Sequence, residues 1–255
     1  MIVINNMSQS NVIERLSILN VGARTIFIGY IYLFVLNLFQ NILFGMIESS
    51  INTGSLLILV NSISGIVSAV LSLLIYVLIM LRAFSLLEKA YPEDYRIGKA
   101  GVGIMIIGLL TGIIVDILFL INPESILTRV TLLVRMLMVI TAQLFIAIAL
   151  YRLGYYSDAL KYGALLTILS LLIMYPSSIF FVLLYPKLLV YVEYGYRYTG
   201  ISSASLDLAA ALGFSASIEI VGLGTILFGL RNANRTITKL IIDLSRDSKR
   251  IDKAL

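Results

Sequence analysis

The stretch from residue 101 to residue 151 reads GVGIMIIGLLTGIIVDILFLINPESILTRVTLLVRMLMVITAQLFIAIALY. It holds two apolar runs, 102–121 and 130–151, on either side of the break Asn122-Pro123-Glu124-Ser125. Each run has about the 20 residues that an α-helix needs to cross a hydrocarbon core. Each also carries one ionisable side chain well inside it, Asp116 in the first and Arg135 in the second. Asp116 stands six residues before Asn122, and Arg135 six residues after Arg129. At helical rise both therefore lie ~9 Å below the same membrane face. Opposite charges at matched depth on antiparallel neighbours neutralise each other, whereas neither is tolerated facing lipid. The pattern predicts a helical hairpin with an intramembrane ion pair, Asp116 with Arg135.

Around that hairpin the composition fixes the class. Mean hydropathy is +1.00, and only 13% of the 255 residues are charged, about half of what soluble domains carry. Runs long enough to span recur at 25–47, 56–81, 102–121, 130–151, 162–185 and 206–230. The prediction is an all-α polytopic bundle of six transmembrane helices. A cytoplasmic or interfacial arm (1–24) precedes the transmembrane domain (25–230), and a basic amphipathic tail (231–255) follows it.

The arm has no signal-peptide character, because the first apolar run is twice too long and no small-residue cleavage pattern follows it. Val12, Ile13, Leu16 and Leu19 share one helical face, so 1–24 reads as a short interfacial elbow or a frayed end. The first span carries Asn37, Gln40 and Asn41 towards its far end, and the second carries Ser64, Ser68 and Ser72 at four-residue spacing. Such a serine stripe favours close helix packing over a polar pore. Residues 82–100 read as a charged link turning at Pro92, and 152–161 as a shorter one. Pro176 predicts a kink in the fifth span, with Ser177 and Ser178 near the freed carbonyls. Tyr191, Tyr194, Tyr196 and Tyr198 read as an interfacial aromatic belt, or more sharply as a ligand patch, in a chain without tryptophan. In the tail, Ile237, Leu240, Ile241, Leu244, Ile251 and Leu255 recur at helical spacing. That is a helix lying on the membrane or pairing with another chain.

Orientation follows from the basic residues. Of 19 Lys and Arg, 15 fall in the arm, the second link, the fourth link and the tail, and three in the other links. The asymmetry predicts a multi-pass plasma-membrane protein with both termini in the cytoplasm. The excess positive charge flanks helices, so anionic lipid headgroups, not nucleic acid, are the expected ionic partner. The tail offers a second partner surface for another protein, and a homo-oligomer is compatible with it.

The residue types absent exclude several chemistries. The chain has no cysteine and no histidine, which removes thiol catalysis, disulfides, thiolate metal sites and the commonest metal ligand. No phosphate loop, HExxH or GxSxG occurs, and no lysine lies deep in a span to serve as a base. No cofactor, metal site or catalytic residue is expected, and the chain reads as non-enzymatic. Gly101, Gly103, Gly108 and Gly222, Gly224, Gly229 share a spacing that superficially matches a dinucleotide loop, but the last gap is too long. Helix packing is the expected role. Arg82, Arg152 and Arg231 follow the even spans, as positive-inside bias alone predicts. Asp207 reads as an exposed helix-start carboxylate.

Glu219 differs from these. It lies twelve residues before Arg231, ~18 Å from the cytoplasmic end and near the midplane. No cation in any span shares its depth. Gln143 and Asn37 are the polar side chains able to meet it, making Glu219, Gln143 and Asn37 the candidate midplane site.

The segment RAFSLLEK (82–89), continued by YRIGKAG (95–101) and the apolar run after it, resembles a family of multi-pass membrane proteins found mainly in Crenarchaeota. The resemblance implies a membrane location and no assigned activity, so it transfers no functional residues. Two functions remain open from the sequence. The first is a non-enzymatic partner-binding or scaffold protein acting through its tail. The second is a small transporter or channel subunit using the polar residues around Glu219.

Overall fold

The computed structural model describes residues 9–50, 54–122, 125–184 and 203–254. All of the secondary structure among them is helical. In chain order the elements are α1 (Gln9–Ser50), α2 (Gly54–Ile75), a π-helical turn (Tyr76–Met80), α3 (Leu81–Ala90), α4 (Pro92–Ile121), α5 (Ile126–Leu153), a 3-10 turn (Gly154–Tyr156), α6 (Asp158–Leu184) and α7 (Ser203–Ala254). Both residues that flank the π turn keep right-handed helical backbone, so α2, the turn and α3 form one rod. Six rods result. Among the described residues, four segments are long and apolar enough to cross a membrane: Gln9–Gln40, Ser62–Ala90, Pro92–Ile121 and Ile126–Tyr156.

Each rod packs against the next in chain order, and α7 returns to α1, so the bundle closes into a ring. Large apolar side chains such as Phe39, Leu78, Ile114, Leu172 and Phe228 point outward and stay exposed. A belt of that extent is a surface for hydrocarbon rather than for water. The most continuous core lies at one end of the ring, here the basal end. Leu19, Phe84, Leu87, Leu150, Leu153, Leu160, Leu230 and Ile237 are fully buried there.

Three sequence expectations change at the basal end. The arm is not a separate elbow, because α1 runs without a break from Gln9 into the first apolar run. Its face Leu16, Leu19 and Ala23 is buried in the common core. The tail also buries part of its apolar face within the chain, while Leu240 stays exposed and the side chains of Ile251 and Leu255 lie outside the described residues. Ala233 and Ile237 are buried, and Ile241 and Leu244 pack against the same core. Gln9 Nε2 donates to the Leu244 carbonyl at 2.9 Å, and Asn20 Nδ2 to Thr238 Oγ1 at 3.2 Å. Arm and tail are amphipathic helices of one chain, and each supplies the apolar partner that the other lacks. Third, the charged segment 82–100 is almost wholly helix. Tyr91 alone departs from it, with φ −142° and ψ 87°, the extended backbone that a following proline imposes. Pro92 then opens α4 at a first-turn position, where its missing N–H costs nothing. Lys99 pairs with Glu88 across this turn at 2.7 Å, and Arg152 Nη1 donates to the carbonyls of Glu93 and Asp94 at 2.8 and 2.9 Å.

At the other end the α4–α5 break stands where the sequence places it. Ser125 caps α5 by accepting from Thr128 N–H at 3.0 Å, and Thr128 Oγ1 donates back to the Asn122 carbonyl at 2.8 Å. Pro176 lies inside α6, which continues through it. The tyrosines at 191–198 and the side chains of Ser177, Ser178 and Asp207 lie outside the described residues.

Glycine sets the closest helix contacts. A methyl on Gly163 would come within 2.7 Å of the Ile226 amide nitrogen, and one on Gly222 within 3.3 Å of the Gly163 carbonyl. One on Gly229 would meet the Leu160 backbone. Gly101 faces the Ala142 carbonyl, at 2.9 Å from such a methyl, and Gly108 faces Val139, whereas Gly103 and Gly224 face open space. Four of the six glycines singled out by spacing therefore serve packing, and two do not. Gly229→Ala should cost about 1–3 kcal/mol, because backbone cannot yield as a flexible side chain does. Gly224→Ala should cost nothing and can gain up to ~1 kcal/mol of helix propensity. Thermal melting of the two variants in one detergent checks the contrast, and equal losses would contradict this account of the α6–α7 contact.

Candidate functional site

Glu219 stands on α7 one turn before Gly222, which packs against Gly163 and Thr167 of α6. Gln143 of α5 reaches across, and its Nε2 donates to Glu219 Oε1 at 3.3 Å. Two further groups converge on the same carboxyl. Glu219 and the phenols of Tyr30 on α1 and Tyr76 in the second rod lie within electrostatic reach of one another. Gln143 and Glu219 are thus hydrogen-bonded, and two phenols from two further rods lie within electrostatic reach of the carboxyl.

Local structure explains how the tyrosines arrive. Tyr76 is the first residue of the π turn, and its carbonyl accepts from Leu81 N–H, the i to i+5 bond that defines such a turn. The extra residue rotates α3 about the rod axis relative to an unbroken α-helix. Single π turns inside α-helices are often found at functional sites. Gly29, beside Tyr30, lets the turn approach, since a methyl there would lie 2.6 Å from Met80 Sδ. One glycine therefore brings α1 and the π turn into register.

Asn37 does not join this group. It is exposed, seven residues beyond Tyr30 on the same face of α1. It lies two turns, ~10 Å, too far along the helix to meet Glu219. Tyr30 and Tyr76 were not among the sequence candidates. The available signal was the serine stripe of α2, because Ser64, Ser68 and Ser72 continue at the same spacing to Tyr76.

Asp116 and Arg135 form a second polar level. Asp116 is 5% exposed, and its carboxylate lies against α2, where a methyl on Gly65 would come within 2.8 Å of Oδ2. The Arg135 side chain covers Gly112 of α4, with Nε 3.0 Å from a methyl built there. Gly112 and Asp116 are one turn apart on α4, and the Arg135 charge acts on the Asp116 carboxyl. Asp116 Oδ2 has no hydrogen-bond donor among the described residues. Close by, Ser68 Oγ donates to Gln40 Oε1 at 2.6 Å, which gives one member of the serine stripe a polar partner. Arg135 and Gln143 are eight residues apart on α5, so the two levels are separated by ~12 Å.

The chemistry open to the Glu219 group is narrow. A carboxyl, an amide and two phenols can hold and pass a proton, or present oxygens to a small cation. No set of three or more metal-ligating side chains occurs among the described residues. A cavity of about 330 Å³ lies elsewhere, between α1 and the second rod, lined by Val21, Thr25, Ile28, Leu78, Ile79, Arg82 and Leu86. Comparison with protein families, characterised proteins and solved structures finds no match for this chain.

Proposed function

We propose that this chain is a six-span plasma-membrane protein with both termini in the cytoplasm, acting as a small proton- or cation-coupled transporter. The observation that carries the reading is the hydrogen bond between Gln143 and Glu219 of two rods, with the phenols of Tyr30 and Tyr76 from two others within electrostatic reach beside a π turn. Ionisable groups inside a span are costly and, by default, mark ion or proton pathways. The ring supplies a protected interior, and the basal core supplies a rigid cytoplasmic base.

The partner-binding or scaffold reading keeps one supporting observation. Arg231, Arg235, Lys239 and Arg246 are exposed on α7, a basic face suited to anionic lipids or an acidic protein. Ala233 and Ile237 of that helix are buried in the basal core, while Leu240 and Ile242 stay exposed beside the charge.

Two experiments bear on the proposal. Purified protein in liposomes should dissipate an imposed proton or cation gradient faster than protein-free liposomes, and equal rates would favour the scaffold reading. Topology is open to single-cysteine labelling without background, since the chain has no cysteine. Cysteines at Asn52, Ser125 and Thr199 should react with an impermeant reagent from outside, and one at Ser248 should not. External labelling at Ser248 would reverse the orientation.

A further inference from the structure

The cavity between α1 and the second rod has a composition that neither reading above uses. Val21, Thr25 and Ile28 form one wall, and Leu78, Ile79, Arg82 and Leu86 the other. Two glycines fix the walls. A methyl on Gly22 would come within 2.7 Å of Leu87 Cδ2, and one on Gly29 within 2.6 Å of Met80 Sδ, so α1 and the second rod touch along their inner faces. On the outer side a groove remains. Its walls are not satisfied by protein, since Val21, Ile28 and Leu78 are 52%, 40% and 66% exposed.

Charge in the groove lies at one level. Arg82 is exposed and forms no ion pair among the described residues. The inner contacts pair Gly22 with Ala83 and Leu87, and Gly29 with Ile79 and Met80, which sets Arg82 level with Thr25. Arg24, also exposed, precedes Thr25 and shares a face with Val21 and Ile28 by its i, i+3, i+7 spacing. Thr25 Oγ1 is already committed to the Val21 carbonyl at 2.8 Å, and Arg82 is the one charged residue among those lining the groove. The wall towards the span interior (Ile28, Leu78, Ile79) is apolar, and the cations stand where the apolar runs begin and end.

We propose that this groove binds one anionic phospholipid, its acyl chain along Ile28, Leu78 and Ile79 and its phosphate on Arg82 with Arg24 beside it. A neutral lipid fits the apolar wall equally but leaves the exposed Arg82 and Arg24 without counter-charge. An anionic headgroup neutralises them, as basic clusters do at membrane surfaces. A cavity of about 330 Å³ falls within the roughly 300–1,000 Å³ of small-ligand sites. The groove shares Leu78 and Ile79 with the π turn that carries Tyr76, yet the proposal stands whether or not Glu219 moves protons.

Native mass spectrometry of the protein in neutral detergent, titrated with phosphatidylglycerol or phosphatidylcholine, tests it. The parent should retain one phosphatidylglycerol in preference to phosphatidylcholine. Arg82→Gln should reduce that preference about fivefold, the value of one arginine near an anionic surface. Arg96→Gln, an exposed basal charge outside the groove, should leave it unchanged. Val21→Trp, which fills the groove while keeping both arginines, should remove the bound lipid of either type. Equal retention of the two lipids by the parent, or equal effects of Arg82→Gln and Arg96→Gln, would overturn the site in favour of diffuse surface attraction. So would undiminished binding to Val21→Trp.

Discussion

Asp116→Asn should lower stability by about 1–3 kcal/mol, because it removes the carboxylate charge that acts on the partly buried Arg135 guanidinium. Asp116 is 5% exposed, and its carboxylate lies against Gly65 of α2. The amide keeps the shape of the side chain but removes the counter-charge from the turn of α4 that Arg135 covers. Removing both charges, by Asp116→Asn with Arg135→Gln, should recover most of the loss, because a neutral pair strands no charge. Exchanging them, by Asp116→Arg with Arg135→Asp, should recover less, because the longer side chain must enter the space that Gly65 leaves for a carboxylate. Melting in detergent and in lipid checks the series. An Asp116→Asn protein that melts like the parent would show that the two residues do not act as a pair.

Much of the fold was legible because hydropathy is written residue by residue. The runs 102–121 and 130–151 fall inside two of the four candidate spans, the runs 25–47 and 56–81 overlap the other two, and Ser125 caps α5 just after the break. The ends of the rods were less legible, for a physical reason. An amphipathic stretch such as 12–19 or 237–244 shows which face is apolar and not what covers it. Here each covers the other, which turns an expected elbow and an expected free tail into extensions of α1 and α7. The link 82–100 misled because its charges resemble a loop, although Arg82, Lys89, Arg96 and Lys99 sit on helices whose other faces carry Phe84, Leu87 and Tyr95 into the core.

The site was half legible. Glu219 and Gln143 could be chosen from depth alone, and the structure brings them together. Depth along α1 is also what excludes Asn37. Tyr30 and Tyr76 were missed because tyrosine in a span reads as an interfacial anchor. The π turn that presents Tyr76 carries no proline or glycine to mark it in the sequence.

The Glu219 group carries the functional proposal, and its isosteric amide is the sharpest probe of it. Glu219→Gln keeps the contact with Gln143 possible, because the carboxamide oxygen can still accept from Nε2. Fold and melting behaviour should therefore stay within about 1 kcal/mol of the parent, the worth of a single neutral hydrogen bond. What the substitution removes is the ability to bind and release a proton or to offer a charge to a cation. Tyr76→Phe deletes only a phenol and should slow the process without abolishing it. The measurement is gradient-driven proton or cation flux in liposomes holding equal amounts of parent and Glu219→Gln protein, with melting curves taken in parallel. The proposal predicts flux in the parent that disappears in Glu219→Gln while the fold survives. Undiminished flux in Glu219→Gln, or a parent no faster than empty liposomes, would contradict it and leave Glu219 as a packing residue of the ring.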